Sequence, residues 1–568
     1  MVLSILRRLM STYQVGYLIR LSENGQYPPC RPFWQARRAE PAGEPLKEKV
    51  HKRSTVMFPE RLRYLEQLLH VNGHSQGPGA LSDGRLRSQP VLNDKFPTIY
   101  FLDPEQFSPL GPTSLSSPDQ PFMRNGWQLV ETDWQSVCAT YLETIQQWLP
   151  MLSRKRLHND LASLAVDRKP AETLLILCMK LCTQGIQSSD GSEQHDVDEL
   201  YNTAKQCCFY AESGGFVSLR LVQSLILLAV YELGHAIYPA AYLTIGRASR
   251  LAGMMGQHSR TSARQLFIDP DTWTLREEQR RTSWAIFIID RVISAGTDGL
   301  AVSARAPDSH DLLPCTDVEW NQGSIGSNEP LLAGSFHTGT SLGPFAQTCQ
   351  AAYMLDKVMT HLDRCRRSDD QNVTEMLAEA MQLHRALLAL DASLNLPGML
   401  STHSYPSTDT RSHIQDQGGQ NQCAIALCCS ARTLLYDEYG CNEPDARIIN
   451  RERIAMETEA QRVAFRGVEV MAAMTIPRMA RLVVQTSAAA LVMPSISPLL
   501  GYCLYLGATE CAWFIRENHE RNMYAALRQI IQGLRVLNAQ WRVGGEYLAL
   551  LEKSSVLNLV DDGEAVAD

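Results

Sequence analysis

The chain has 568 residues, a formal net charge of −8 and a pI near 6.0. It is long enough to bury a large core, and its acidic balance excludes a bulk electrostatic drive toward nucleic acid. Fifteen cysteines over such a length exclude a disulfide scaffold; most sit in apolar helical runs, as Cys178, Cys182, Cys428 and Cys503 do, where reduced and buried thiols are expected.

Met1 to Leu21 is apolar but is interrupted by Arg7, Arg8 and Arg20, and no acid appears before Glu23. It lacks the clean apolar core of a secretory signal, and in composition alone it matches a mitochondrial presequence. Residues 1–55 form a basic, disordered arm in this reading, with Arg31, Arg37, Arg38, Lys47, Lys49, Lys52 and Arg53 outnumbering the acids. Residues 56–71 form a short helical segment, because Phe58, Leu62, Leu65 and Leu69 step by four, three and four. Residues 72–133 are rich in Gly, Pro and Ser and read as a linker.

From residue 134 the pattern is helical. The spacing predicts helices over 136–152, 172–183, 197–213, 218–233 and 240–254, with short loops that imply antiparallel neighbours. A further helix starts near Leu275, where Thr274 and Glu277 have the spacing of a capping box. Residues 318–343 and 401–421 are polar breaks. Helical patterning resumes over 423–436, 454–474, 497–516 and 523–552, and residues 556–568 form an acidic tail. Residues 482–509 carry no charge, yet Pro494 and Pro498 divide them, so two buried helices with a turn are expected instead of a membrane span. The predicted fold is all-α: a large, two-lobed array of antiparallel helices over residues 134–555.

The helix beginning near Leu275 gathers Glu277, Arg280, Arg281, Trp284, Asp290 and Arg291. Helical spacing puts Glu277 one turn from Arg280 and Arg281. Asp290 lies about two and a half turns beyond Arg281, so pairing between those two needs another element. Structural ion pairs bracing the helix are favoured over an anion or catalytic site, and Trp284 reads as core. Cys178 and Cys182 lie four apart on a helix without further ligands, so packing is favoured over metal binding. His195 and Glu199 share the same spacing without an H-E-x-x-H pattern.

Thr274 to Cys315, with these charges and the closing Leu313-Pro314, resembles the signature of the fungal-specific transcription factor domain, the middle regulatory region of zinc binuclear-cluster regulators. Tyr141 to Leu152, Leu174 to Leu181, Ala240 to His258 with Arg247, Pro498 to Ala512 and Gly533 to Leu551 are similar to other stations of that family, in order. The resemblance covers roughly residues 134–555. It implies a nuclear transcriptional regulator and no enzyme, with structural roles for Arg247, Glu277, Arg280, Arg281, Trp284, Asp290, Arg291, Leu313 and Pro314. The family's DNA-binding module binds two zinc ions through six cysteines. Residues 1–133 contain only Cys30, so no zinc is expected in this chain as it stands, either because the module was lost or because it is encoded upstream. Direct DNA contact is then not expected. Action would pass through the transcription machinery or another zinc-cluster regulator, as a dimer or under a small-molecule effector, away from any membrane.

Two other classes compete with this reading. An all-helical biosynthetic enzyme or accessory protein would need a polar pocket with a base or a metal. No Walker loop, dinucleotide fingerprint or Gly-x-Ser-x-Gly elbow on a strand is present, and Ser368-Asp369-Asp370 is the nearest approach to an Asp-rich metal motif. A mitochondrial or membrane-associated adaptor rests on residues 1–21 and 482–509.

Overall fold

A computed structural model describes residues 121–560, except 165–169, 185–190, 215–216, 257–269, 298, 310, 333–341, 368–371, 396–420, 441–449, 491–494 and 519. The expected arm, short helix and most of the linker lie outside the described residues, as do the 401–420 break and the end of the acidic tail. The described residues belong to one compact unit. They are helical throughout, with no strand; the only extended pairing among them is a single antiparallel bridge between Leu312 and Pro330.

The first group of helices is built around its most apolar member. Helices α1 (Pro121–Gln128), α2 (Trp134–Glu143), α3 (Ile145–Trp148), α4 (Arg154–Leu164), α5 (Pro170–Thr183) and α6 (Gly191–Ser213) lead to α7 (Leu219–Gly234). All sixteen residues of α7 are buried. Its start is fixed by Ser218, whose hydroxyl accepts from the Leu221 N–H at 3.1 Å. Helices α5, α8 (Ala240–Met254) and α9 (Trp273–Ser294) pack around it. The helix expected over 136–152 is broken at Thr144, whose backbone leaves the helical region, and its last residues turn away after Trp148.

The loop after α9 carries α10 (Asp317–Gln322), a single well-closed turn. The Thr316 hydroxyl caps it, accepting from the Glu319 N–H and donating to the Glu319 carboxylate. Gly323 ends the turn at φ +70°, a left-handed conformation suited to glycine.

The second group comprises α11 (Pro344–Arg367), α12 (Val373–Asn395), α13 (Gln422–Tyr439), α14 (Arg451–Val470), a π-helical turn (Met471–Thr475), α15 (Ile476–Ala489), α16 (Leu500–Asn518), α17 (Arg521–Asn538) and α18 (Val543–Lys553). The helix expected over 454–474 therefore continues through a wider turn into α15. The one expected over 523–552 is two, separated at Ala539–Arg542. Residues 482–509 do contain two helices with a break between them, and no described helix is long and apolar enough to cross a membrane.

The two groups share one continuous core. Helix α9 packs on α7 and α8 on one side and on α11 on the other. Trp541 supplies a second junction. Its indole N–H donates to the Ile496 carbonyl at 2.8 Å, and its ring lies so close to Gly234 that an added Cβ would fall 2.1 Å from it. Only glycine leaves room there.

Candidate functional site

Helix α9 begins at Trp273 and not at Leu275. Its cap is Thr272, whose hydroxyl accepts from the Leu275 N–H at 3.2 Å. The capping box expected from Thr274 and Glu277 does not form, because Glu277 points into the core, where it is fully buried. Three charge clusters, each centred on a fully buried carboxylate, follow along this helix.

At the first cluster, the Glu277 carboxylate accepts from Arg280, from Arg281 Nε at 3.0 Å, from the Cys315 N–H at 2.9 Å and from Asn328 Nδ2 at 3.0 Å. Arg281, itself fully buried, donates further to the Pro150 carbonyl (3.1 Å), Asp317 (2.8 Å) and the Cys315 carbonyl (2.7 Å). Its guanidinium lies 4.8 Å from the Trp320 ring centroid. Burial alone would depress this guanidinium; Asp317 and Glu277 outweigh it and hold Arg281 above its ordinary value. Apart from the Glu277–Arg280 and Glu277–Arg281 pairs within the helix, these hydrogen bonds tie α9 to the loop before α4 or to residues 315–328. Trp284 adds an indole bond to the Leu312 carbonyl at 3.0 Å, and buried Leu313 donates its N–H to the Glu329 carbonyl at 2.7 Å. Leu313 and Pro314 thus belong to a segment laid against α9.

The second cluster centres on Glu278, which the sequence reading did not single out. It accepts from the Ser153 N–H (3.1 Å), Arg156 and Arg220 Nη1 (3.0 Å). Arg220 on α7 also reaches Asp160 at 2.5 Å. A carboxylate next to Glu277 on a helix reads as solvated in a sequence. Only a buried Arg220 within the apolar run of α7 hints at a partner.

At the third cluster, the Asp290 carboxylate accepts from Arg291 (2.6 Å) and from the N–H groups of Ser303 and Ala304 (both 3.0 Å). Arg291 donates to Asp356 on α11 (2.6 Å) and to the Ala304 carbonyl (2.8 Å). Burial raises the Asp290 carboxyl above its ordinary value against the opposing pull of those amides and Arg291. Asp290 thus pairs with its chain neighbour and the 303–304 backbone, and Arg281 takes Asp317 instead. Arg247 stands apart from all three clusters: it faces Glu212 of α6 at 3.5 Å and is one-third exposed.

Chemically, this arrangement holds the helix in place and leaves little to react. Glu277, Glu278, Arg281, Asp290 and Arg291 of α9 are engaged by the protein's own groups on several elements, whereas a reactive acid or base needs a face open to substrate. The Cys–His–carboxylate order does recur at Cys365, His361 and Glu379, with Tyr439 also on His361. There, burial raises the Cys365 thiol above its ordinary value and lowers the His361 imidazole, the direction that disfavours the thiolate a nucleophile requires. Cys178 and Cys182 are buried in α5, and the Cys182 thiol donates to the Leu227 carbonyl at 3.2 Å. No group of three or more His, Cys, Asp or Glu able to hold a metal occurs among the described residues. The side chain of His195 and the Ser368–Asp370 motif lie outside them.

Residues 139–390 match the model of the fungal specific transcription factor domain, and the chain belongs to that family. It is 39% identical over 142 residues to the transcription factor BOA15 of Botryotinia fuckeliana, covering 25% of this chain and 76% of that protein. It is 25% identical over 262 residues to the azaphilone cluster-specific transcription factor azaR of Aspergillus niger, covering 44% of this chain and 54% of that protein. It is 25% identical over 159 residues to the citrinin biosynthesis transcriptional activator mrl3 of Monascus ruber, covering 27% of this chain and 30% of that protein. The chain therefore spans three quarters of one relative and about half or less of the others. No solved structure matches. Transcriptional regulation is the function of the family, and the enzyme alternative finds no support among these relatives.

Proposed function

We propose that the chain works in the nucleus as the regulatory body of a fungal-type transcriptional regulator, and that the genes it controls lie in a biosynthetic cluster. Family membership supports the first part. The names of several relatives support the second, since they refer to azaphilone, ascochitine, citrinin or pigment biosynthesis. The observation that carries the non-enzymatic reading is the engagement of Glu277, Glu278, Arg281, Asp290 and Arg291 with the protein's own groups. Such a body works by binding: an effector held between helices shifts a conformational equilibrium, and partners in the transcription machinery or a second zinc-cluster regulator read the result. Sequence-specific DNA contact in this family comes from a six-cysteine module, and residues 1–133 of this chain carry one cysteine.

Deletion of the gene tests the reading. Transcripts of a contiguous block of biosynthetic genes should change together, and a C-terminal fluorescent fusion should be nuclear. Fluorescence anisotropy with the purified chain should show only weak, salt-dependent DNA binding. Nanomolar sequence-specific binding by this chain, or unchanged cluster transcripts, would overturn the proposal.

A further inference from the structure

Helices α15 and α17 hold five arginines and no acid, in a chain whose net charge is −8. Arg478 and Arg481 lie on α15, and Arg521, Arg528 and Arg535 on α17. The three on α17 recur every seven residues, so successive ones drift by only about 20° around the helix and stand about 10 Å apart along it. Their stripe lies opposite buried Ala526, Ile530 and Leu537. On α15, Arg478 and Arg481 are one turn apart and exposed, opposite buried Ile476 and Val483. The two helices lie side by side: a Cβ added at Gly533 of α17 would fall 3.0 Å from the Ala480 side chain of α15.

No ion pair joins any of the five guanidiniums to a carboxylate among the described residues, and Arg528 Nε is buried there without a partner. Other surface arginines do close on an acid one turn away, as Arg462 does on Glu459 and Arg367 on Asp363. Cations gathered on adjoining faces raise the local potential and draw in an anion. An anionic segment starts close by. Helix α18 runs back along α17: its Gly544 lies against Asn538 and Leu534, and the Ser554 carbonyl beyond its end accepts from Arg516 at 2.8 Å, just before the start of α17. The described residues end at Val560, and Asp561, Asp562, Glu564 and Asp568 follow with no cation among them. At about 3.3 Å per extended residue, that segment reaches about 26 Å, against about 21 Å from Arg521 to Arg535.

We propose that the arginine face of α15 and α17 is a docking surface for an acidic peptide segment, and that residues 561–568 of the same chain occupy it. A single exposed ion pair is weak, but a tethered segment meets the face at an effective concentration on the order of millimolar, and several pairs then act together. An acidic segment of another protein, or a phosphate backbone, reaches the face only by displacing this one. The inference stands independently of the regulator reading.

Fluorescence anisotropy with a dye-labelled peptide of residues 561–568 tests it at low salt. Three full-length chains are compared: wild type, the tail variant Asp561→Asn/Asp562→Asn/Glu564→Gln/Asp568→Asn, and the tail variant with Arg521→Gln/Arg535→Gln added. The tail variant should bind the peptide with a dissociation constant below about 0.1 mM. Wild type should bind it at least about tenfold more weakly, because its own segment competes. The added arginine substitutions should weaken binding by at least about tenfold, as should Arg478→Gln/Arg481→Gln in their place, and about 0.5 M salt should abolish it. All four arginines are exposed, so circular dichroism should show every variant folded. Absence of binding to the tail variant overturns the proposal, as does binding that the arginine substitutions leave unchanged. Equal binding to wild type and the tail variant overturns occupation by residues 561–568. A DNA duplex that wild type binds at about 1 µM or tighter, and that Arg521→Gln/Arg535→Gln releases, would assign the face to a phosphate backbone and overturn the peptide reading.

Discussion

Arg281→Ala is the sharpest probe of how the fold holds its central helix. The substitution removes a fully buried cation that bonds Glu277, Asp317 and two main-chain carbonyls and stacks on Trp320. Removing one partner of a buried pair costs roughly 3–5 kcal/mol. The Pro150 and Cys315 carbonyls also lose their donor, at roughly 1 kcal/mol each where water does not replace it. Against this, Glu277 retains Arg280, the Cys315 N–H and Asn328, and Asp317 retains the Phe345 N–H. A net loss of about 4 kcal/mol follows from these ranges. With about 2.1 cal/mol/K of unfolding entropy per residue, a unit of this size loses about 5 °C in Tm. Arg280→Ala is the control. Arg280 has one partner and is partly exposed, so its loss should stay within about 1 kcal/mol. Thermal unfolding followed by far-UV circular dichroism measures both. If Arg281→Ala costs no more than Arg280→Ala, the argument that buried charges clamp α9 is wrong.

Two further perturbations separate details of the same account. Thr272→Ala should destabilise by about 1 kcal/mol, the usual value of a lost cap, whereas Thr274→Ala should be near neutral; urea titration distinguishes the two, and the reverse order would restore the cap expected from the sequence. Acid should also weaken the fold through His235. Burial lowers this imidazole to about 4, against the bond from its Nδ1 to the Tyr231 carbonyl. Between pH 6.5 and about 4 the unfolded chain binds a proton that the folded chain refuses, so stability present above pH 6.5 is lost as pH falls to 4, by up to about 3 kcal/mol at 1.36 kcal/mol per pH unit. His235→Asn should flatten that part of the stability–pH curve, and an unchanged slope would remove His235 as its source.

The helical nature of the chain was legible because apolar residues recur at helical spacing, and the span of α8 was read to the residue. What the spacing concealed were the interruptions. Thr144 breaks a helix without a Gly or Pro signal, and at Ala539–Arg542 the break lets Trp541 turn inward beside Gly234, with Gly544 close against Leu534 and Asn538. The π turn likewise leaves no trace in apolar periodicity. At the candidate site, pairs one turn apart, such as Glu277 with Arg281, are local geometry and could be foreseen. Arg281 with Asp317, Arg291 with Asp356 and Glu278 with Arg220 join residues 36, 65 and 58 positions apart. Such pairs depend on tertiary packing, and spacing alone does not encode them.

The direction in which α9 finds its partners bears on how the molecule is made. Glu278 draws on Ser153, Arg156 and Arg220, all synthesised before it. The carboxylate partners of Arg281 and Arg291 beyond their own helix, Asp317 and Asp356, emerge from the ribosome only afterwards. A nascent chain that has reached residue 300 therefore holds each guanidinium with the carboxylate of its own helix, Glu277 or Asp290, and without the second one. A product cut short before Asp356 lacks the second carboxylate that holds Arg291 and ties α9 to α11.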